Sequence, residues 1–480
     1  MIEPPLDEKN QGQGLLPPDF PKDYVEGAVK PFLVSTSAVG DVPLLPMIDL
    51  AYSKRQAIPP HIWGMLYDSW TPQLETEGLS VFLQAYEDRG QDNARKKIYY
   101  SAMTADLCDS LYAPKIQAMV DYVLAEEGAG EPVMQRYLDQ YPDMYWDLHL
   151  GVRGDAIPEG VRSFSTDFNT VLGYWFPTLE VVRDAYGRVR AEREALKSWA
   201  DAGLQDVLDQ ETEGFEATFV HHWAKNGGLG PDFRREDIVF ESFHNFLAFS
   251  QWGNTYYNVM RLLSADRGDP VVRSAFEETM AGTPDIVDEG AFTPLDRFVM
   301  ELMRVISPNA GSYSTLSLDK GFLGEGYAGI SHSHPAASRD PRHWTDPDAF
   351  NPDRYKTAPT ADRHGEDTAS KLGLARCPFA PAPRPVEDGR DTVVTNSAFG
   401  AVYSVTDGRT TPVCETAGYA PFGFGYRRCA GEVLTVESIK ALLRAVHSRK
   451  LTFSAFAGDA KKLAVGPGTV IKDDIVFTIG

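Results

Sequence analysis

One cysteine of this sequence lies in surroundings suited to chemistry. Cys429 follows the segment Phe422-Gly-Phe-Gly-Tyr-Arg-Arg and precedes Ala-Gly and a mainly apolar stretch. The apolar residues recur at helical spacing, which predicts a helix that starts just after the cysteine and whose apolar face contains Ile439, Leu442, Leu443 and Val446. A helix start offers unpaired N–H groups and a positive dipole end, and both stabilise a thiolate. The flanking cations and the helix start favour a reactive or metal-binding thiolate over the alternative, a buried structural cysteine.

The segment resembles the haem-binding loop of the cytochrome P-450 family, F-x-x-G-x-R-x-C-x-G, at every specified position. The resemblance implies that Cys429 is the axial ligand of the iron of haem b (iron protoporphyrin IX). It also implies that Phe422 shields the sulfur and that Arg427 pairs with a haem propionate. Gly425 and Gly431 would let the backbone pass close under a flat macrocycle.

Two further segments resemble motifs of the same family and occur in the same order along the chain. Glu301-Leu-Met-Arg304 resembles its E-x-x-R, and Phe350-Asn-Pro-Asp-Arg354-Tyr resembles its downstream arginine segment. Alone, Glu301 and Arg304 would be an ordinary i,i+3 surface pair. In this company the resemblance implies a buried, charge-paired triad of Glu301, Arg304 and Arg354 behind the haem.

A long apolar helix is predicted from Asp237 to Leu263, because no charged side chain occurs between Glu241 and Arg261. A helix that is apolar on all sides belongs inside a large domain. The resemblance implies that it crosses the distal face of the haem, where the family carries A/G-G-x-D/E-T.

The corresponding stretch here is Gln251-Trp-Gly-Asn-Thr255. Thr255 matches the family motif, and with Gly253 and Asn254 it is our predicted catalytic group. Asn254 replaces the acid, and an amide cannot act as a carboxylate proton shuttle, although water held by Thr255 could still serve. Gly253 costs about 1 kcal/mol in a helix interior, which indicates a packing or ligand reason for it.

Other departures from the family pattern also bear on function. The arginine that commonly binds a propionate after E-x-x-R is missing, so we expect Arg95 or Lys96 to compensate. The stretch Phe249-Ser-Gln-Trp-Gly253 is weakly similar to the distal helix of plant hydroperoxide-rearranging enzymes, allene oxide synthases and hydroperoxide lyases.

These features leave several functions open. The leading hypothesis is a monooxygenase or oxidative-tailoring enzyme of secondary metabolism that uses O2 and external electrons. The alternatives are an electron-independent hydroperoxide lyase, isomerase or peroxygenase, and a haem sensor or carrier.

The sequence predicts a mostly α fold with small β-sheets, the cytochrome P-450 fold implied by the resemblance. We expect a single haem domain over residues 1–480. Residues 1–60 are rich in proline and turn residues and should form an irregular N-terminal arm. Residues 356–412 should form a long insertion before the cysteine loop, because they lack hydrophobic periodicity.

Composition limits the environment and the partners. The formal net charge of −22 and the pI of about 4.9 disfavour nucleic-acid binding. The four cysteines are too few for a disulfide framework and suit a reducing compartment. No signal peptide and no membrane span are visible, so we expect a soluble, cytoplasmic enzyme.

Two classes of partner follow from the sequence. Trp63, Trp70, Phe82 and Trp252 are candidate pocket residues for an apolar or aromatic small-molecule substrate, although such side chains more often belong to the core. A ferredoxin or flavodoxin is the expected electron donor, because basic residues cluster in and after the cysteine loop: Arg427, Arg428, Lys440, Arg444, Arg449 and Lys450. A solvated helix face, or a surface covered by the insertion, is the alternative.

Overall fold

The computed structural model describes residues 33–35, 94–174, 180–230, 233–290, 292–308, 311–321, 324–333, 338–339, 344–356, 403–406, 409–412, 421–422, 429–466 and 469–480. Most of the predicted N-terminal arm and most of the predicted insertion therefore lie outside the described residues. The same holds for Gly425, Arg427, Trp63, Trp70 and Phe82, and for the side chains of Arg95 and Lys96.

Helices make up most of the described chain. They are α1 Ala94–Ser101, α2 Ala105–Leu107, α3 Ala113–Val123, α4 Val133–Leu150, α5 Glu159–Tyr174, α6 Glu180–Leu208, α7 Phe219–Gly227, α8 Arg235–Phe249, α9 Gln251–Leu263, α10 Pro270–Ala281, α11 Pro294–Ile306 and α12 Glu432–Ser448. One π-helical turn, Cys108–Tyr112, joins α2 to α3. A 3-10 turn, Pro352–Tyr355, carries the downstream arginine segment.

The strands form small sheets. β1 (Leu33–Ser35) pairs in parallel with β3 (Gly324–Ser333), which pairs antiparallel with β2 (Gly311–Gly321). Three antiparallel pairs complete the set, namely β4 (Tyr403–Thr406) with β5 (Arg409–Pro412), β6 (Leu451–Ala455) with β9 (Ile475–Ile479), and β7 (Lys462–Gly466) with β8 (Thr469–Lys472). The predicted fold class, mostly α with small β-sheets, is confirmed.

Local sequence signals explain the bounds of α11, the helix that carries Glu301 and Arg304. Thr293 caps its N-terminus by accepting from the N–H of Asp296, and the Asp296 carboxylate accepts from the N–H of Thr293 in return. Pro294 occupies the first turn, where its missing N–H costs nothing. The helix ends where Ser307 turns into the left-handed region at φ 42°.

The long apolar helix predicted for 237–263 is broken into α8 and α9 at Ser250. The Ser250 hydroxyl donates to Leu247 O at 2.6 Å, and the N–H of Gly253 donates to Ser250 O at 2.9 Å. Phe249 O accepts the Tyr137 hydroxyl at 2.8 Å. Side chains that bond to the backbone in this way compete with the helical ladder and bend it. The expectation of one uninterrupted helix is therefore wrong.

α8 and α9 nevertheless lie inside the fold, as their apolar surface predicts. Aromatic side chains of α4 pack against α8: Tyr141 stacks on Phe246 with ring centroids 5.1 Å apart, and Trp146 meets Phe243 edge-on at 5.3 Å. Each such ring contributes about 1.5–3 kcal/mol on full burial. In the described part of the chain, no helix is both long enough and apolar enough to span a membrane.

Candidate active site

Cys429 lies just before α12, where the sequence predicts a helix start. Its N–H donates to Phe422 O at 2.8 Å, and this bond joins the two ends of the 422–429 segment. Gly431 is the N-cap residue and supplies no side-chain cap. A methyl group built on Gly431 would lie 3.8 Å from the Cys429 sulfur, so the thiol is beside the helix N-terminus. Phe422 and Ala430 are buried, whereas Cys429 is exposed.

Glu301, Arg304 and Arg354 come together in the structure. Both Glu301 oxygens accept from Arg304, at 2.8 Å from Nε and 2.8 Å from Nη2, and Oε1 also accepts from Arg354 Nε at 3.1 Å. The Asn351 N–H and the Tyr355 hydroxyl donate to the same carboxylate at 2.8 and 3.2 Å. Glu301 and Arg304 are fully buried.

Backbone carbonyls take up the remaining Arg304 donors. Nη1 donates to Ser338 O and Pro347 O at 2.7 and 2.8 Å, and Nη2 donates to Ala349 O at 3.0 Å. The Trp344 ring lies 5.2 Å from the Arg304 guanidinium carbon. Burial alone would lower the pKa of Arg304, but the hydrogen bonds and charge of Glu301 keep it above its ordinary value. The cluster therefore ties α11 to the 344–356 segment through a buried, charged centre.

The residues predicted to be catalytic, 253–255, contact other parts of the fold. A Cβ on Gly253 would lie 2.8 Å from Tyr137 Cε1 and 3.0 Å from Val465 Cβ, so packing alone requires a glycine there. Asn254 Nδ2 donates to Pro308 O at 3.2 Å. The Thr255 hydroxyl donates to Gln251 O, within its own helix, at 3.3 Å.

α9 packs directly on α12. Trp252 Nε1 donates to Thr435 Oγ1 at 2.8 Å, and the Tyr256 hydroxyl donates to Ser438 O at 3.2 Å. The two helices run in the same sense, and Cys429 precedes Thr435 by six residues. Six residues before Trp252 along the chain, on the other side of the break at Ser250, is the turn of α8 that contains Asn245.

That turn carries a buried polar group. The Tyr99 hydroxyl of α1 donates to Asn245 Oδ1, and His244 Nδ1 lies 2.7 Å from Glu241 Oε2. Burial raises the pKa of Tyr99 well above its ordinary value, and the negative charges of Glu241 and Cys429 raise it further. Sequence reasoning missed Asn245 and Tyr99, because neither belongs to a motif.

Comparison with known proteins identifies the architecture. No family model matches the chain, and no curated protein matches it. Among solved structures, it is similar to cyanobacterial CYP120A1 with bound retinoic acid (TM-score 0.54, 14% identity, 93% of this chain and 89% of that one). A zebrafish cytochrome P-450 with progesterone matches at TM-score 0.56, 14% identity and 94% of both chains. The chain has the cytochrome P-450 fold.

A third solved structure agrees with the P-450 fold. A triple mutant of the cytochrome P-450DA haem domain matches at TM-score 0.56 and 15% identity, covering 92% of this chain and 94% of that one. The residues present also suit a haem on Cys429. A soft thiolate donor at a helix N-terminus is a known type of iron ligand, and Cys429 is an exposed residue in this position.

Two residues of the basic cluster predicted to dock an electron donor are paired with carboxylates in this P-450 fold. Lys440 is buried, 2.6 Å from Asp296 Oδ1 and 3.1 Å from Glu437 Oε1. Arg444 Nη2 lies 2.6 Å from Asp285 Oδ1. Lys440 was predicted to share an open basic face with Arg444, and that prediction is wrong because the lysine side chain points inward to carboxylates. Arg427 and Arg428 lie outside the described residues.

Proposed function

We propose that this chain is a haem-thiolate oxidoreductase in which Cys429 binds the iron of haem b. The observation that carries the proposal is the exposed Cys429 thiol beside the N-terminus of α12, in a chain with the cytochrome P-450 fold. When bound, a haem with a thiolate ligand supplies a reactive centre that favours O–O cleavage.

The chain's own residues would hold this group. The hydrogen bond from the Cys429 N–H to Phe422 O keeps the cysteine loop closed, and the dipole of α12 stabilises the thiolate. Arg427 is our proposed propionate partner, with Arg95 or Lys96 as a second cation. Gly425 and Gly431 are proposed to leave room for the macrocycle.

The proposed substrate is an apolar or aromatic small molecule. Two similar solved structures hold retinoic acid and progesterone, both of which are largely apolar. Aromatic side chains of this chain surround the α8–α9 junction, including Phe249, whose ring centroid is 4.8 Å from that of Trp252. Such surroundings suit a ligand that is held mainly by apolar contact.

We propose monooxygenation with O2 and electrons from a separate ferredoxin-type or flavodoxin-type donor as the first reaction class. One observation favours a second class, in which an organic hydroperoxide replaces both O2 and the donor. Lys440 is paired with two carboxylates instead of contributing to a basic docking face, and a reaction that needs no electrons does not require such a face.

The deciding experiment compares turnover of a small apolar substrate panel under two conditions. One uses a ferredoxin or flavodoxin with its reductase and O2, and the other uses added hydroperoxide without electrons. Product from the reductase system supports monooxygenation. Full activity with hydroperoxide and none with any reductase would establish the second class. A protein that shows no thiolate-type haem spectrum would refute both.

A further inference from the structure

We propose that a path of touching aromatic rings carries single electrons from Trp199 at the surface to the proposed haem centre, so that a hydroperoxide cleaved there oxidises a one-electron donor that never enters the fold. The inference rests on the proposed function, because the haem on Cys429 is where the electrons are consumed. It adds a second, peroxidase-type reaction to that site and gives Trp199 a role that no sequence motif indicates.

The inner end of the path is joined to the cysteine loop by direct contacts. Trp252 Nε1 donates to Thr435 Oγ1 at 2.8 Å, and the Thr435 hydroxyl donates to Gly431 O at 2.7 Å. A Cβ built on Gly431 would lie 3.8 Å from the Cys429 sulfur. Two hydrogen bonds therefore link the Trp252 indole to the residue beside the thiol.

From Trp252 outward the rings follow one another without a gap. Ring centroids are 4.8 Å apart for Trp252 and Phe249, 5.3 Å for Phe249 and Tyr145, 5.0 Å for Tyr145 and Trp146, and 4.8 Å for Trp146 and Trp199. Aromatic rings at these separations are in contact. The path runs from α9 across α8 and α4 to α6, where Trp199 is only partly buried. It therefore connects the interior of the fold with solvent.

The tryptophans are the electron carriers, and the two rings between Trp252 and Trp146 are bridges. A phenylalanine ring is not a carrier, and a tyrosine gives up an electron readily only when it releases its phenolic proton as well. The Tyr145 hydroxyl donates to Ser242 O, a carbonyl that is not a base, and burial raises the pKa of Tyr145 well above its ordinary value. Tyr145 therefore keeps its proton and acts as a bridge.

An indole, by contrast, can lose an electron while it keeps its N–H. Trp146 is fully buried, and its Nε1 has no hydrogen-bond partner among the residues that the structure describes, so nothing there takes its proton. Trp252 is also buried. Of the three tryptophans, Trp199 is the one close enough to solvent to release its indole proton to water. The oxidised state is therefore most stable at Trp199, which is where a donor outside the fold can meet it.

Electrons and protons balance in the proposed reaction. Cleavage of the O–O bond of a hydroperoxide, which yields an alcohol and water, takes up two electrons and two protons. Trp252 gives an electron to the oxidised haem centre, Trp146 then reduces Trp252, and Trp199 reduces Trp146. A donor molecule at the surface finally reduces Trp199. Two donor molecules, each oxidised by one electron, complete one turnover, and solvent supplies the protons.

The test uses the haem-loaded protein with cumene hydroperoxide and, as donor, reduced cytochrome c, a protein too large to enter the fold. Donor oxidation is followed by the loss of its ferrous absorption bands. A nitroso spin trap, added in place of the donor and located by peptide mass spectrometry, shows where the radical resides. In the wild type we expect two molecules of cytochrome c oxidised per hydroperoxide, and the trap on Trp199.

Trp199→Phe should lose most of the donor oxidation and the adduct at this position. Its initial rate of hydroperoxide consumption without donor should stay unchanged, because O–O cleavage precedes electron transfer along the path. Trp199 lies near the surface, so the fold should tolerate this replacement. Trp146→Phe removes the middle carrier and should also lose both readouts, although Trp199 is still present.

Tyr122→Phe is the matched control. Tyr122 is 40% exposed on α3, and its ring faces the Arg136 guanidinium carbon at 4.8 Å instead of the path. Its replacement removes an oxidisable surface ring and should leave donor oxidation and the Trp199 adduct at their wild-type levels.

The outcomes are separable. Loss of both readouts in Trp199→Phe, with hydroperoxide consumption intact, supports the path. If Trp199→Phe oxidises cytochrome c as fast as the wild type, or if the wild type carries no trap on Trp199, the inference is overturned. A wild-type protein that has a thiolate-type spectrum but consumes no hydroperoxide would also overturn it. A wild-type protein without such a spectrum would instead overturn the proposed function.

Discussion

Replacing Glu301 by glutamine should destabilise the protein strongly, although the two side chains have nearly the same shape. The carboxylate accepts hydrogen bonds from Arg304, Arg354, Asn351 and Tyr355. In Glu301→Gln an NH2 group replaces one acceptor oxygen and faces these donors. The charge of the fully buried Arg304 also loses its counter-ion.

The size of the effect follows from this burial. Breaking a buried ion pair by removing one partner costs about 3–5 kcal/mol, because the other charge stays buried without compensation. Arg304 keeps three backbone carbonyls, so we expect the lower part of that range. Glu194→Gln is the matched control. Glu194 also pairs with a cation at i+3, Lys197, but its side chain is 76% exposed, and the change should stay within about 0.5 kcal/mol.

Urea unfolding followed by circular dichroism measures both variants. Glu301→Gln should lower the midpoint without changing the slope against urea, which marks a loss of stability in an otherwise unchanged fold. A loss below about 1 kcal/mol would refute the argument that this carboxylate locks α11 to the 344–356 segment.

Further predictions follow from other contacts. Gly253→Ala should destabilise by about 1–3 kcal/mol despite the better helix propensity of alanine, because its Cβ would meet Tyr137 Cε1 at 2.8 Å; an unchanged urea midpoint would exclude the packing role. Lys440→Glu should lower the urea midpoint far more than Arg444→Glu, because only Lys440 is buried between carboxylates; equal effects would contradict this burial. Burial lowers the pKa of His149 from 6.5 to about 3, so the unfolded chain takes up the proton first. The titration of His149 therefore leaves the free energy of unfolding unchanged above about pH 6.5. Below that pH it lowers this free energy by up to about 1.4 kcal/mol per pH unit as the pH decreases toward 3. His149→Gln should flatten that slope in urea titrations, and an unchanged slope would refute the assignment.

The sequence was most informative where chemistry is local. Glu301 and Arg304 are one helical turn apart, so their pairing follows from spacing, and the Thr293 cap and Pro294 mark where their helix begins. The helix after Cys429 follows in the same way from the period of its apolar residues. The P-450 fold itself was predicted from these short motifs and their order.

Long-range packing could not be predicted in the same way. The break at Ser250 depends on the Tyr137 hydroxyl reaching Phe249 O from another helix. Lys440 has the sequence surroundings of an exposed lysine, and only the approach of Asp296 from α11 shows that it is buried. Asn245 is a single amide in a mainly apolar helix, a pattern that carries no signal until its bond to Tyr99 is known.

The central claim is that Cys429 is the ligand of a haem iron, and the ferrous carbonyl spectrum tests it most directly. The wild-type protein should bind haem and give the absorption band at the position typical of thiolate ligation. Cys429→Ala should abolish this band, whereas Cys108→Ala should retain it, because the Cys108 side chain is fully buried and lacks the flanking arginines that precede Cys429. A thiolate-type band that persists in Cys429→Ala would contradict the account.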